Sequence, residues 1–173
     1  MKLQRPNTVL ALVLALAVVF TACSKKTTTS TGSSPTPTAV PTLSATSFTS
    51  DFSAMSKLTG LAASGKGSIG VLLPDTASSA RYTAFDLPLL TQAFQKAGLS
   101  SSQFTIDNAQ GSESTQLTQA QALMTSGATV LLVDALSSGV GANIEKLAKT
   151  NGVKTIDYDR LVLGGSRDAY VSF

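Results

Sequence analysis

Apolar positions change rhythm along this chain, and each rhythm predicts a different kind of structure. Val9 to Phe20 is a continuous apolar run of about twelve residues. From Ser24 to about Val40 apolar side chains almost vanish. Phe48, Phe52, Met55, Leu58 and Leu61 then recur at helical spacing and predict a short amphipathic helix within 48–62. Beyond Gly67, short apolar runs alternate with helical stripes. Ile69–Leu73 shows no alternation, as in a strand buried on both faces. Phe85, Leu89, Ala93, Phe94 and Ala97 fall on one helical face that Gly98 ends, with Asp86 before Leu87-Pro88 as the expected N-cap. Phe104–Ile106 predicts a second strand. Leu117, Ala120 and Met124 mark a helix that Gly127 stops, and Val130–Val133 a third strand. Val140, Ile144, Leu147 and Ala148 mark a helix that Asn151-Gly152 stops. Val153–Ile156 and Ala169–Phe173 read as the last two strands.

Strands alternating with helices imply a parallel sheet covered on both faces. The fold class is therefore α/β: a Rossmann-like three-layer sandwich with a mainly parallel sheet, in the class that includes strand order 2-1-3-4-5. Its length, roughly 105 residues, is enough for one such domain. The chain closes on an apolar strand with no helix after it, which leads us to expect a truncated lobe.

The first rhythm has a different meaning. Lys2 and Arg5, the apolar run and Thr21-Ala22 have the form of a secretory signal. The run is too short for a membrane span, which needs about 20 apolar residues. Cys23, the single cysteine, follows directly and resembles the bacterial lipobox, with Phe20 where Leu is usual. The expected organisation is a lipoprotein signal peptide over 1–22, a lipid-anchored Ser/Thr/Pro tether over 23–66 with its helix at 48–62, and a folded lobe over 67–173. The tether's first part, Ser24 to about Val40, carries too little apolar surface to offset its ordering entropy. The resulting localisation is extracytoplasmic, anchored to the cell membrane by lipid on Cys23. One cysteine allows no internal disulfide.

Charge is divided the same way. The chain carries +3 overall. Six of its thirteen basic residues precede Gly67, whereas nine of its ten acids follow it. The folded part is therefore slightly acidic, and a nucleic-acid partner is excluded.

Open parallel sheets bind ligands beyond the carboxyl ends of their strands. Asp75, Ser78, Ser79, Arg81 and Tyr82 follow the first strand, Asp134 and Ser137 the third, and Asp157, Tyr158, Asp159 and Arg160 the fourth. Carboxylates accept hydrogen bonds from hydroxyls, guanidinium groups donate several in a fixed fork, and an aromatic ring covers an apolar face. That set suits a polyol; a plain Arg81–Asp159 pair in polar loops is the bland alternative. Gly139-Val140-Gly141 is part of a dinucleotide fingerprint, but Ile144 occupies the third glycine position. The absence of histidine removes His-based triads and most zinc sites. Asp157 and Asp159 have no third acidic ligand nearby. No enzyme activity, cofactor or metal is expected.

Ile69-Gly70-Val71-Leu72-Leu73-Pro74, Ser78-Ser79-Ala80-Arg81-Tyr82, Gln119-Ala120-Gln121-Ala122-Leu123-Met124 and Ile156-Asp157-Tyr158-Asp159-Arg160, closing on Tyr170-Val171-Ser172-Phe173, resemble the N-terminal lobe of the sugar-binding proteins of ABC importers. The nearest group is the xylose-binding type of the type I periplasmic binding proteins. The resemblance covers about Gly67 to Phe173. It implies one lobe of a two-lobe protein, with Arg81, Asp159 and Arg160 on the sugar, Tyr82 beside the pocket and Asp134 as a further ligand residue. It implies a monosaccharide ligand, an ABC permease as partner, and a monomer. With one lobe of two, the chain alone is expected to bind sugar weakly or not at all. Three rivals remain: a sugar or signal receptor lipoprotein presenting ligand to a sensor kinase, a nucleotide-binding Rossmann enzyme, and a surface lipoprotein whose lobe binds nothing.

Overall fold

A computed structural model describes residues 38–172 of the chain. The expected signal segment, Cys23 and the start of the tether lie outside the described residues. Short 3-10 turns at Ala45–Ser47 and Ser53–Leu58 lead into helix α1, Thr59–Ser64. The lobe follows as β1 Ser68–Leu73, α2 Leu87–Lys96, β2 Phe104–Asn108, α3 Glu113–Thr125, β3 Ala128–Val133, α4 Ser138–Thr150, β4 Lys154–Tyr158 and β5 Ala169–Val171.

The five strands among the described residues are all parallel, in the order β2-β1-β3-β4-β5. The direction of sheet growth reverses at β1, so the β1–β3 seam opens a crevice at the carboxyl edge. Side chains alternate between the faces. Leu72, Leu131 and Val133 join α3 and α4 in one core through Ala120, Leu123, Val140, Ile144 and Ala148. Val71 and Leu73 face the other way and pack with Tyr82, Leu90 and Phe94. Phe94 and Phe104 stack obliquely, their ring centres 5.1 Å apart. β5 is exposed along its length and, among the described residues, pairs only with β4.

Local chemistry sets the helix boundaries. Ser112 and Ser137 cap α3 and α4, accepting the N–H groups of Thr115 and Val140 at 3.2 Å. Gly127, at φ +96°, ends α3 in a left-handed conformation that other residues rarely adopt.

The start of α2 differs from the sequence reading. Tyr82–Asp86 forms a π-helical turn, with Leu87 N–H bonded to Tyr82 C=O. Asp86 has helical backbone angles and does not cap. A π turn takes an extra residue per turn, so a stripe counted at 3.6 residues per turn from Phe85 drifts out of phase. Phe85 and Leu89 are accordingly exposed and Leu90 faces the sheet in their place, while Phe94 of the expected stripe packs against it.

Candidate functional site

The carboxyl edge of β1, β3 and β4 brings all five expected ligand residues into one bonded cluster, with Tyr82 between the two arginines. Arg81 stands at the head of the π turn after β1. Its Nε donates to Asp86 Oδ2 at 2.9 Å, and one terminal nitrogen donates to Asp159 Oδ2 at 2.8 Å and reaches Asp134 Oδ2 at 3.4 Å. Arg160, after β4, sets its Nε 3.4 Å from Asp134 Oδ1 and donates to the Ala135 carbonyl and the Tyr82 hydroxyl. The Tyr82 ring lies between the two guanidinium groups, 4.8 Å from Arg81 and 5.7 Å from Arg160. Such cation–π contacts fix both cations at a set spacing.

Depth separates the roles. Asp134 is fully buried and Tyr82 nearly so. Asp159, Arg81 and Arg160 keep 23%, 28% and 38% of their side chains exposed, so they form the polar surface of the edge. Gln116, also fully buried, donates to the Asp134 carbonyl and accepts the Leu136 N–H, which fixes the loop after β3. Asp159 has φ +63°, an uncommon conformation for a residue with a side chain. Its N–H binds the Val171 carbonyl and its own carbonyl accepts the Tyr170 hydroxyl, so β5 holds it there.

Burial pushes the Asp134 carboxyl up to about 7, against the pull of the neighbouring arginines. Burial opposes the Arg81 charge, but hydrogen bonding to Asp159 and the field of Asp86 raise its pKa above the ordinary value. Tyr158 is raised by burial and by Asp86, to which its hydroxyl donates at 3.1 Å.

Other residues named from sequence take different places. Asp75 accepts from Ala77 N–H, Ser78 N–H and the Ser78 hydroxyl, and so shapes the loop before Arg81. Asp157 turns to the opposite face, is fully buried, and accepts the Val162 N–H. Gly141 is a packing glycine: a Cβ there would collide with Val162 and Ala135. Sequence reasoning missed Asp86 as an arginine partner, having read it as a cap. It also missed Gln116, whose signal was available: a glutamine four residues before Ala120 on the buried stripe of α3.

No family profile matches the chain. A 68-residue stretch, 39% of the chain, is 34% identical to the D-xylose-binding periplasmic protein of Escherichia coli and spans 21% of that protein. The solved structure of a carbohydrate transporter solute-binding protein from Chloroflexus aurantiacus, in complex with D-glucose, aligns over 61% of this chain and 30% of its own, with TM-score 0.55 and 30% identity. The Caulobacter myo-inositol binding protein, bound to myo-inositol, aligns over 60% and 34%, with TM-score 0.51 and 26% identity. The chain thus spans about a third or less of the proteins it resembles. The fold matches one lobe of such sugar-binding periplasmic proteins. Among the described residues, no helix is long and apolar enough to cross a membrane.

Proposed function

We propose that the chain is the N-terminal lobe of a solute-binding protein of an ABC sugar importer, binding a monosaccharide outside the membrane for delivery to a permease. The observation that carries this reading is the convergence of Arg81, Asp159 and Arg160 on the carboxyl edge of the sheet, held from beneath by Asp134, Asp86 and Tyr82. Asp159 accepts hydrogen bonds from sugar hydroxyls, and the two guanidinium groups donate to hydroxyl or ring oxygens. Asp134 and Tyr82 position the arginines; their burial keeps them from the sugar itself. A donor–acceptor set already bonded in the free protein needs little reordering, which favours affinity. Similarity to proteins that bind D-xylose, D-glucose and myo-inositol supports a cyclic polyol as ligand, with a xylose-like monosaccharide as the specific proposal. The signal peptide over 1–22, lipidation at Cys23, the tether over 23–66 and monomeric assembly belong to the same proposal.

One lobe supplies one wall of such a site, so binding by this chain is expected to be weak. The test is NMR titration of the chain with D-xylose, D-glucose, myo-inositol and a charged control such as L-glutamate. Millimolar, sugar-selective shifts centred on Arg81, Asp159 and Arg160, lost in Arg160→Ala, are the expected result. Shifts with the control alone, or sugar-induced shifts centred away from Arg81, Asp159 and Arg160, would overturn the proposal.

A further inference from the structure

The folded unit is polarised along its strands. Asp75, Asp86, Asp107, Glu113, Asp134 and Asp159 all lie at or after the carboxyl ends of strands or at the starts of helices α2 and α3. Of the six lysines among the described residues, all but Lys146, within α4, lie at the opposite edge. Lys66 precedes β1 and Lys154 opens β4, while Lys96 and Lys149 sit in the last turns of α2 and α4. Lys57 ends the 3-10 turn before α1. All five are exposed. Helix dipoles account for lysines in the last turns of α2 and α4. They do not call for Lys66 and Lys154 at the starts of strands. Asp168 is bonded to Lys154 at 2.6 Å, and Asp51 lies in the approach to the 3-10 turn. The lysines of this edge outnumber these two carboxylates.

An apolar groove of about 340 Å³ opens at the same edge, lined by Met55, Leu58, Leu61, Phe94, Leu99 and Val130. Lys66 lies on its rim, Lys57 and Lys96 adjoin lining residues in sequence, and Lys154 pairs in register with Val130. The described chain also enters the folded unit here: a Cβ on Gly60 of α1 would touch the Thr38 methyl. The Arg81–Asp159–Arg160 cluster occupies the other edge, about 20 Å away along a six-residue strand.

We propose that this N-terminal edge docks on an anionic lipid surface. The lysines meet the headgroups, while Met55, Leu58 and Leu61 present apolar surface to the acyl boundary. Basic side chains around an apolar strip are the elements of interfacial membrane binding. Docked in this way, the lobe holds its arginine–carboxylate edge away from the surface and open to solute. The inference does not depend on the sugar reading or on lipid at Cys23.

The chain contains no tryptophan, so one introduced indole is an unambiguous probe. The full chain carrying Leu61→Trp, and separately Met55→Trp, is mixed with phosphatidylcholine–phosphatidylglycerol vesicles whose acyl chains are brominated. Leu163→Trp, at an exposed position in the loop after β4, is the reference. Circular dichroism and thermal unfolding establish that each variant is folded. Fluorescence at positions 55 and 61 should shift to the blue and be quenched, whereas position 163 should stay unquenched. High salt or pure phosphatidylcholine should abolish the quenching. A lysine near an anionic surface contributes about a fivefold change in partitioning, so Lys57→Glu, Lys66→Glu and Lys96→Glu together should weaken it by at least a hundredfold. No quenching at either position, equal quenching at position 163, or quenching insensitive to lipid charge would overturn the proposal.

Discussion

Arg81 and Asp159 lie 78 residues apart in the chain and meet at 2.8 Å across the carboxyl edge of the sheet. The pair ties the loop after β1 to the loop after β4, and β3 lies between those strands in the sheet. Asp134, at the end of β3, closes the triangle from below. The three loops are thus locked by charge-assisted bonds from one guanidinium group, a geometry that a planar fork of donors can satisfy.

Arg81→Lys tests that lock. Lysine keeps the charge, but its three donors sit on one nitrogen and cannot span Asp86 on one side and Asp134 and Asp159 on the other as the planar fork does. The expected cost is about 1–3 kcal/mol of stability, the scale of hydrogen bonds to charged groups. Urea denaturation of parent and variant measures it. The NMR response to sugar should also fall. An unchanged midpoint and an unchanged sugar response would mean that the fork geometry is unimportant.

How much of this was legible in the sequence depends on the range of the interaction. Ile69–Leu73 and Val130–Val133 predicted buried strands because continuous apolar runs of that length have few alternatives, and the strand order 2-1-3-4-5 matches the sheet observed. Placing Arg81, Asp159 and Arg160 at the carboxyl edge followed from strand polarity alone. The π turn at Tyr82–Asp86 was not legible, because its extra residue per turn leaves no mark in composition. Asp86 was misread for that reason. The depth of Asp134 and Tyr82 was also hidden: a polar residue after a strand can point to solvent or beneath its neighbours, and that choice is made by contacts from distant segments.

A second carboxyl pair predicts a pH effect on stability. Glu145 and Asp157 are both fully buried, and each keeps one oxygen without a hydrogen-bond partner. A proton held on Glu145 lets it hydrogen-bond Asp157 and satisfies both atoms. Arg167 approaches Asp157 at 3.5 Å, and Ser166 N–H binds Glu145. Burial, with the hydrogen bond and charge of Asp157, pushes Glu145 up to about 6 from 4.5. Between those values the folded form keeps a proton that the unfolded chain releases. Stability therefore falls as pH rises from 4.5 through 6, by about 2 kcal/mol from this group. Glu145→Gln stays neutral and should be the more stable protein above pH 7, with the difference closing near pH 4. Asp134, raised to about 7, gives a fall of the same sign in both proteins, so the difference isolates Glu145. Parallel stability curves would refute the proton held by Glu145.

Close packing at two glycines predicts opposite outcomes from the same substitution elsewhere. A Cβ at Gly165 would collide with the Glu145 carboxylate, and one at Gly141 with Val162 and Ala135. Gly141→Ala and Gly165→Ala should each cost about 1–3 kcal/mol, the usual scale of overpacking. Gly60 has helical backbone and only the Thr38 methyl near it, at 3.5 Å from a built Cβ. Gly60→Ala should therefore stabilise by about 0.5–1 kcal/mol. Thermal unfolding of the three variants checks the ordering, and loss of stability in all three would indicate that the local contacts are not what decides.

Asp159 combines charge and backbone conformation, and three substitutions separate them. At φ +63° glycine is unstrained, asparagine is tolerated and alanine is disfavoured by about 1–2 kcal/mol. All three remove the carboxylate that Arg81 holds. Asp159→Gly and Asp159→Ala thus lose the same ion pair, and the glycine variant should be the more stable of the two by about 1 kcal/mol. Asp159→Asn keeps the side-chain shape and its tolerance of the left-handed region, so its stability should stay nearest to the parent. Its sugar response should nevertheless drop with the others, because an amide offers one acceptor oxygen where the carboxylate offers two. Denaturation midpoints report the backbone contribution and NMR titration with D-xylose the charge. If Asp159→Asn retained the full sugar response, Asp159 would be a conformational residue of the loop after β4, and Arg81 and Arg160 alone would carry the recognition.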